Sequence, residues 1–449
     1  MQLSHTVSAM SVAFDDPNLV SSAGLVPVLV LARRCGLHNA AGDSLTVPSP
    51  NAAVKTAAIV AGMVAGADSI DDLDRLRHGG MGRLFAGIRA PSTLGTFLRA
   101  FSYGHVRQLD KVAAGLLVRL AGHTPLLRDA DRVTFVDIDD TVKPTYGYAK
   151  QGAGYGYTHV KGLNALVGTL STPTSAPVIA ATRLRKGSTS SPRGAASFVA
   201  ATLATARRCG ATGLVLARMD SAFYTADVVA AVRRAGARFS ITARLNASVR
   251  AAIGQIPDKA WTPIHYPNAV WDEQAGGWVS DAEVAETSYT AFASRGPAQQ
   301  VTARLIARRV KLLPPAGTDQ PALIEGYRYH AVFTDSALSM LQAETCHRCH
   351  AIVEHVLADL KGGPLAHLPS GKFAANAAWL TLAAIAHNLT RAAGCLASVF
   401  HATARPATIR DQLINLPARI ATSARRLTLH LPTGWRWEHP WRAIIAAVT

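Results

Sequence analysis

The sequence predicts an α/β protein: a strand-and-helix core interrupted by a β-rich insertion, with a helical N-terminal region. Three observations carry this expectation. Residues 130–242 alternate short apolar strand patterns with helical ones. Residues 243–335 change to alternating segments with Trp261, Trp271 and Trp278 and several prolines. Residues 18–122 and 336–398 carry helical spacing. The expected segments are therefore 1–125, helical; 126–242, core; 243–335, β-rich insertion; 336–402, the rest of the core; and 403–449, a basic aromatic tail.

The chain has 449 residues, enough for two or three domains, and about half are apolar. Lys and Arg number 46 against 29 Asp and Glu, a net charge of +17. That excess implies an anionic polymer or surface as partner. The apolar stretch 373–386 is too short to span a membrane and carries Asn376, so no membrane is expected. The first residues lack a basic start and a long apolar run. Together with five scattered cysteines, this gives an expected cytoplasmic location, associated with the nucleoid.

In the N-terminal region, residues 50–67 form an Ala- and Val-rich helix. Asp68, Ser69 and Asp71 offer caps for the helix IDDLDRLRH. Ser92 is the expected cap of a helix to Phe101. Gly104 is the expected break before a second helix ending near Leu120. Short helices with exposed arginines suit a helix-turn-helix DNA reader, and suit an ordinary bundle equally well.

The core opens with VTFVDIDDTV, Val133 to Val142, read as a buried strand. Its period of two sends Asp137 and Asp139 to one face. Paired carboxylates at the end of an apolar strand need a neutralising partner, so a metal or catalytic site is expected there. The glycines at 152, 154 and 156 do not open a helix after a strand, so they are read as a connection or hairpin end. Strands are expected over 177–184, over LVLARM at 214–219 ending in Asp220, and at RFSIT. Helices are expected over 197–209 and at ADVVAAVRRAG. In the insertion, VTARLIARRV and GYRYHAVFT read as strands.

Residues 336–361 read as one long helix ended by Gly362, Gly363 and Pro364. At 100° per residue, His347, His350, Glu354 and Lys361 fall within about 60° of one another, opposite an apolar face. Residues 373–398 form a second, buried helix. The three acids can then be combined. If neighbouring strands bring Asp139 and Asp220 together and Glu354 faces them, three carboxylates can hold two Mg²⁺ ions, which are hard and prefer oxygen. Such a pair of ions serves phosphodiester cleavage, and the positive charge would hold a nucleic-acid backbone over it.

These residues resemble the DDE transposases of bacterial insertion sequences, most closely the insertion-sequence family numbered thirteen-eighty. The resemblance rests on DIDDTV, GYAKQGAGYGYTHVKG, ARMDSAFY around Asp220, EHVLADLK, HNLTR at 387–391 and RRLTLHLP at 425–432. It implies a ribonuclease-H-like core with Asp139, Asp220 and Glu354 as catalytic and metal-binding triad. Asp139 is preferred to Asp137 because the family pattern is Asp, any residue, Thr. Two Mg²⁺, with Mn²⁺ able to substitute, are the implied cofactors. Terminal inverted repeats and target DNA are the implied partners, and the protein would act as a homodimer on DNA. The family spacing Tyr, Arg, Glu, Lys is kept here as His347, His350, Glu354 and Lys361. By the resemblance, His347, Arg348, His350 and Lys361 face DNA. Trp261, Trp271 and Trp278 are candidates for stacking on a flipped base.

Three other readings are weighed against this one. CHRCH at 346–350 matches a haem-attachment pattern, but attachment needs export, so no haem is expected. DIDDTV also resembles the nucleophile strand of haloacid-dehalogenase-type phosphatases, with Asp137 attacking phosphate. That reading explains neither the charge nor the insertion. The two histidines motivate a third reading, a catalytically decayed relative that only binds DNA.

Overall fold

The computed structural model describes residues 1–146, 149–156, 159–272, 277–311 and 326–449. The side chains of 267–272, 277 and 279 lie outside that description.

The core sheet is made of β1 (Val133–Pro144), β2 (Lys161–Thr172), β3 (Ser175–Lys186), β4 (Leu214–Met219) and β5 (Arg238–Ala243), in the lateral order β3-β2-β1-β4-β5. β1, β4 and β5 are parallel, and β2 runs antiparallel to both β1 and β3. The parallel connections are made by helices Ala195–Arg208 and Ala226–Arg234. A parallel strand covered on both faces needs a nearly continuous apolar run, which is why LVLARM is legible as a strand at all.

The glycine-rich stretch is a site of close backbone approach. Gly154 and Tyr155 pair with Gly162 and Lys161 beyond the end of β3. A Cβ on Gly187 would collide with the carbonyl oxygens of Gly154 and Gly162. Gly147, Tyr148, Tyr157 and Thr158 of this stretch lie outside the described residues.

The insertion is an antiparallel meander of β6 (Thr262–Asp272), β7 (Gly277–Ala291), β8 (Val301–Lys311) and β9 (Tyr327–Thr334). β9 pairs with β5 from Ala331↔Ala243 to Thr334↔Ser240. The meander thus prolongs the core sheet instead of standing apart from it. Pro314 and Pro315 lie outside the described residues.

Helix Phe373–Ala397 is buried along most of its length, as its composition requires. It packs on β3 and on helices Ala52–Val64 and Tyr103–His123. A polar clamp fixes its register: Asn388 Oδ1 accepts from Ile179 N at 2.8 Å and Asn388 Nδ2 donates to Ile179 O at 2.7 Å. The two ends of the chain meet in a small sheet of Leu19–Val20, Ala418–Ser423 and Arg426–His430. The aromatic tail packs inward, with Trp441 buried and Trp435 Nε1 donating to Gln412 O at 3.1 Å.

Several expected elements are corrected. IDDLDRLRH forms a 3₁₀ turn, Asp71–Arg77, whose start is organised by Asp72 accepting from Ser69 N and Oγ. Helix Pro91–Arg99 starts on Pro91 and receives no side-chain cap from Ser92. The break falls before Gly104, because Ser102 and His105 form a capping box that starts helix Tyr103–His123. The long helix expected over 336–361 begins at Met340, after the Ser339–Gln342 capping box. It is interrupted by a 3₁₀ turn at Cys349–Ala351, and helix Ile352–Lys361 follows.

Candidate active site

The acidic strand distributes its three aspartates to different environments. Asp137 is wholly buried against Arg218, directly beside it in the parallel register. Arg218 Nε and Nη2 each donate to one of its oxygens at 2.7 Å. The guanidinium also lies 4.2 Å from the Phe135 ring centroid and donates to Cys346 O at 2.8 Å. Asp140 points the other way and pairs with Arg185, itself held by Asn164 Oδ1 and the Ser191 carbonyl.

Asp139 lies where β4 stops. The β1–β4 ladder ends at Ile138↔Met219, so Asp139, midway along β1, and Asp220, just past the carboxyl end of β4, follow as lateral neighbours. That position is where α/β sheets habitually place ligands, and adjacent strands are about 4.8 Å apart. Each carboxylate keeps one oxygen on the backbone. Asp139 Oδ1 accepts from Asp140 N at 2.7 Å, and Asp220 Oδ1 accepts from Ala222 N at 3.0 Å. Burial pushes the Asp139 carboxyl up to about 6, with the Asp220 and Asp140 charges adding to it and His350 opposing. Burial also raises Asp220, again against His350. This cost of burying two carboxylates is what a divalent cation would relieve.

The helix pair at 340–361 crosses the same sheet face. Cys346 O meets Arg218 on β4, and His350 Nδ1 lies 3.1 Å from Asp137 Oδ1 on β1. On β5, Ser240 Oγ lies 2.9 Å from His347 Nδ1, and Thr242 Oγ1 lies 2.9 Å from His347 Nε2. The polar stripe of histidines therefore matches a polar strip on the sheet. His347 is buried and pushed down to about 3, so its ring is neutral and both nitrogens are occupied. It has no atom free for a phosphate, contrary to its expected DNA-facing place. The physical reason lies on the sheet: Ser240 and Thr242 of β5 occupy both ring nitrogens of His347, while the 3₁₀ turn changes its angle to Glu354 about the helix axis only from about 20° to about 40°.

His350 likewise faces the acidic strand instead of open solvent. Arg348 is engaged by Glu344 at 2.8 Å and sits 4.7 Å from the Tyr266 ring centroid. Lys361 is exposed. Glu354 is exposed one turn beyond His350, about 6 Å along the helix axis. The fold thus brings Asp139 and Asp220 side by side and lays the Glu354 helix against β1. Among the described residues, no three His, Cys, Asp or Glu side chains are gathered closely enough to hold a metal ion. Of the tryptophans, Trp261 is buried beside Tyr329 and 4.3 Å from the Arg309 guanidinium, whereas Trp278 is 66% exposed. Trp271 pairs with Trp278 in the β6–β7 ladder, but its side chain lies outside the described residues.

The Asp137–Arg218 pair was not foreseen from the sequence. Its signal was an arginine inside the apolar strand LVLARM, which needs a buried partner. This pair also weighs against Asp137 as a phosphatase nucleophile, because Arg218 engages both its oxygens.

Fold and site together define an α/β protein with an acidic centre where the parallel ladder of β1 and β4 ends, flanked by a helix carrying a further acid. Residues 4–449 match the family model Transposase DDE domain group 1, and the chain belongs to that family. No curated protein matches the chain. Among the described residues no helix is long and apolar enough to cross a membrane.

Proposed function

We propose that this protein cuts the ends of an insertion sequence by metal-dependent phosphodiester hydrolysis and joins the freed 3′-hydroxyl to target DNA. The observation that carries the reading is the adjacency of Asp139 and Asp220 just past the end of the β1–β4 ladder, in a DDE-family chain of net charge +17. The strand order β3-β2-β1-β4-β5, with β2 antiparallel and β1, β4 and β5 parallel, supports a ribonuclease-H-like core. The narrower placement in the family numbered thirteen-eighty belongs to the same proposal.

Asp139 and Asp220 each keep one oxygen outside their backbone hydrogen bonds, which suits a hard divalent cation. They would hold Mg²⁺, or Mn²⁺ in its place; Glu354, exposed on the neighbouring helix and not gathered with them, would complete the triad only by moving in when DNA binds. Two bound ions would activate the attacking oxygen and stabilise the leaving one. The Asp137–Arg218–His350 network fixes β1 against the helix, so the two aspartates keep their spacing. In this reading exposed Lys361 would meet phosphates along the helix, Arg348 could do so only by leaving Glu344, and Trp278 is the exposed candidate for base stacking. Water attacks the phosphodiester at the transposon end and releases a 3′-hydroxyl. That hydroxyl then attacks a target phosphodiester, displacing a target 3′-oxygen. Cutting both ends in one assembly calls for a homodimer on DNA.

The test is incubation with duplex DNA bearing the element's own ends, with Mg²⁺ or with chelator. Asp220→Asn should bind the ends yet neither cut nor join them. Equal cutting by Asp220→Asn and the unaltered protein would refute the assignment.

A further inference from the structure

A second polar groove opens on the acidic face of β1, beyond the paired aspartates. Its volume is about 810 Å³. It is lined by Arg99 from helix Pro91–Arg99, by Lys143, Thr145, Tyr146 and Lys150 at and after the end of β1, and by the loop at 366–369. The β1–β2 ladder runs without a bulge from Phe135 to Pro144, so Asp139, Thr141 and Lys143 share one face. Four residues of strand place Lys143 about 13 Å from Asp139, the axial span of about four nucleotides of a B-form strand.

We infer that this groove carries the backbone phosphates of the DNA flank about four nucleotides from the cut, held by Arg99 and Lys143. The inference rests on the DNA-processing reading above. Neither cation is matched by a carboxylate in an ion pair among the described residues. Arg99 Nη2 donates only to Thr96 Oγ1, at 3.2 Å. Asp71 also lines the groove, so the cations outnumber it. Thr145 also lines the groove; it is 7% exposed, and its buried hydroxyl has no hydrogen-bond partner. Tyr146 is 90% exposed at the rim, where a flat ring can lie against a sugar or base.

The walls are fixed in advance. Lys150 Nζ donates to Leu368 O, Gln151 N donates to Gly371 O at 2.9 Å, and Phe373 N donates to Gln151 Oε1 at 3.1 Å. Lys150 is thus a strut between the loops, while Arg99 and Lys143 are left for the ligand. A preformed groove loses little freedom when DNA enters it.

The experiment measures binding of end-bearing duplex DNA across a salt series, for the unaltered protein and for the Arg99→Ala, Lys143→Ala double variant. Each phosphate that is no longer neutralised lowers the slope of log K against log salt by about 0.9, so the double variant should lose about 2. Cutting at saturating DNA should persist while KM rises, and Arg99→Lys with Lys143→Arg should restore the slope. DNA carrying 5-iodouracil about four nucleotides from the cut should cross-link to Tyr146 in the unaltered protein. An unchanged slope in a folded double variant overturns the inference. Absence of the Tyr146 cross-link also overturns it, and needs no substituted protein. If the unaltered protein binds the ends but never cuts them with Mg²⁺, the transposase reading fails, while slope and cross-link still decide the groove.

Discussion

Asp139 should destabilise the metal-free protein, and replacing it should reveal this. Its carboxyl stands at about 6 against an ordinary value of 3.8. A tenfold change in proton affinity is worth about 1.4 kcal/mol, so this rise amounts to about 3 kcal/mol at most. Partial exposure to solvent reduces this to about 1–2 kcal/mol. The sign follows from proton binding. Between pH 4 and 6 the folded protein holds a proton that the unfolded chain has released, so stability falls as pH rises through this window and levels off above it. Asp139→Asn carries no such charge. In chelator it should therefore be more stable than the unaltered protein at pH 8 by about 1–2 kcal/mol, and nearly equal to it at pH 4. Denaturant midpoints at the two pH values measure this. Mg²⁺ should then reverse the order, since a cation at 100 times its Kd adds about 2.7 kcal/mol to the form that binds it. An Asn variant that is less stable at pH 8, or whose difference from the unaltered protein ignores pH, would refute the reasoning.

Arg218→Met should cost about 3–5 kcal/mol by leaving Asp137 buried without its cation. Adding Asp137→Leu should recover much of that loss, as chemical denaturation of both variants would show. His347→Ala should cost about 1–3 kcal/mol, because Ser240 and Thr242 lose their buried partner. His347 stays neutral in the fold down to about pH 3, whereas the unfolded chain takes its proton near 6.5. Its contribution should therefore drain away as pH falls from 6.5 towards 3, which a pH series of unfolding midpoints with and without the substitution can follow. Trp261→Ala should cost about 3–5 kcal/mol from the core. Trp278→Ala should leave the unfolding midpoint within about 0.5 kcal/mol, because the ring is exposed, yet slow end processing. Loss of stability in the second variant or unaltered processing would remove Trp278 from the stacking role.

Period and composition made the core strands and crossover helices legible, because a parallel strand covered on both sides must read as an unbroken apolar run. The sequence alone also marked Asp139, Asp220 and the +17 charge, and with them the family resemblance. Strand alternation could not tell Asp137 from Asp139, since both lie on one face of one strand; the preference for Asp139 came from the family pattern Asp, any residue, Thr. The neighbouring strand gives them different surroundings: Arg218 stands beside Asp137, while β4 ends before Asp139 and leaves it next to Asp220. The direction of His347 and His350 was equally hidden, because a helical wheel assumes a constant twist. Such a wheel also cannot show what the face meets: in the fold that face lies on the sheet, where Ser240 and Thr242 take His347 and Asp137 takes His350. Local periodicity records which side chains one element can bury. Which buried charge finds its partner depends on the register between elements, and that is fixed only when the strands lie side by side.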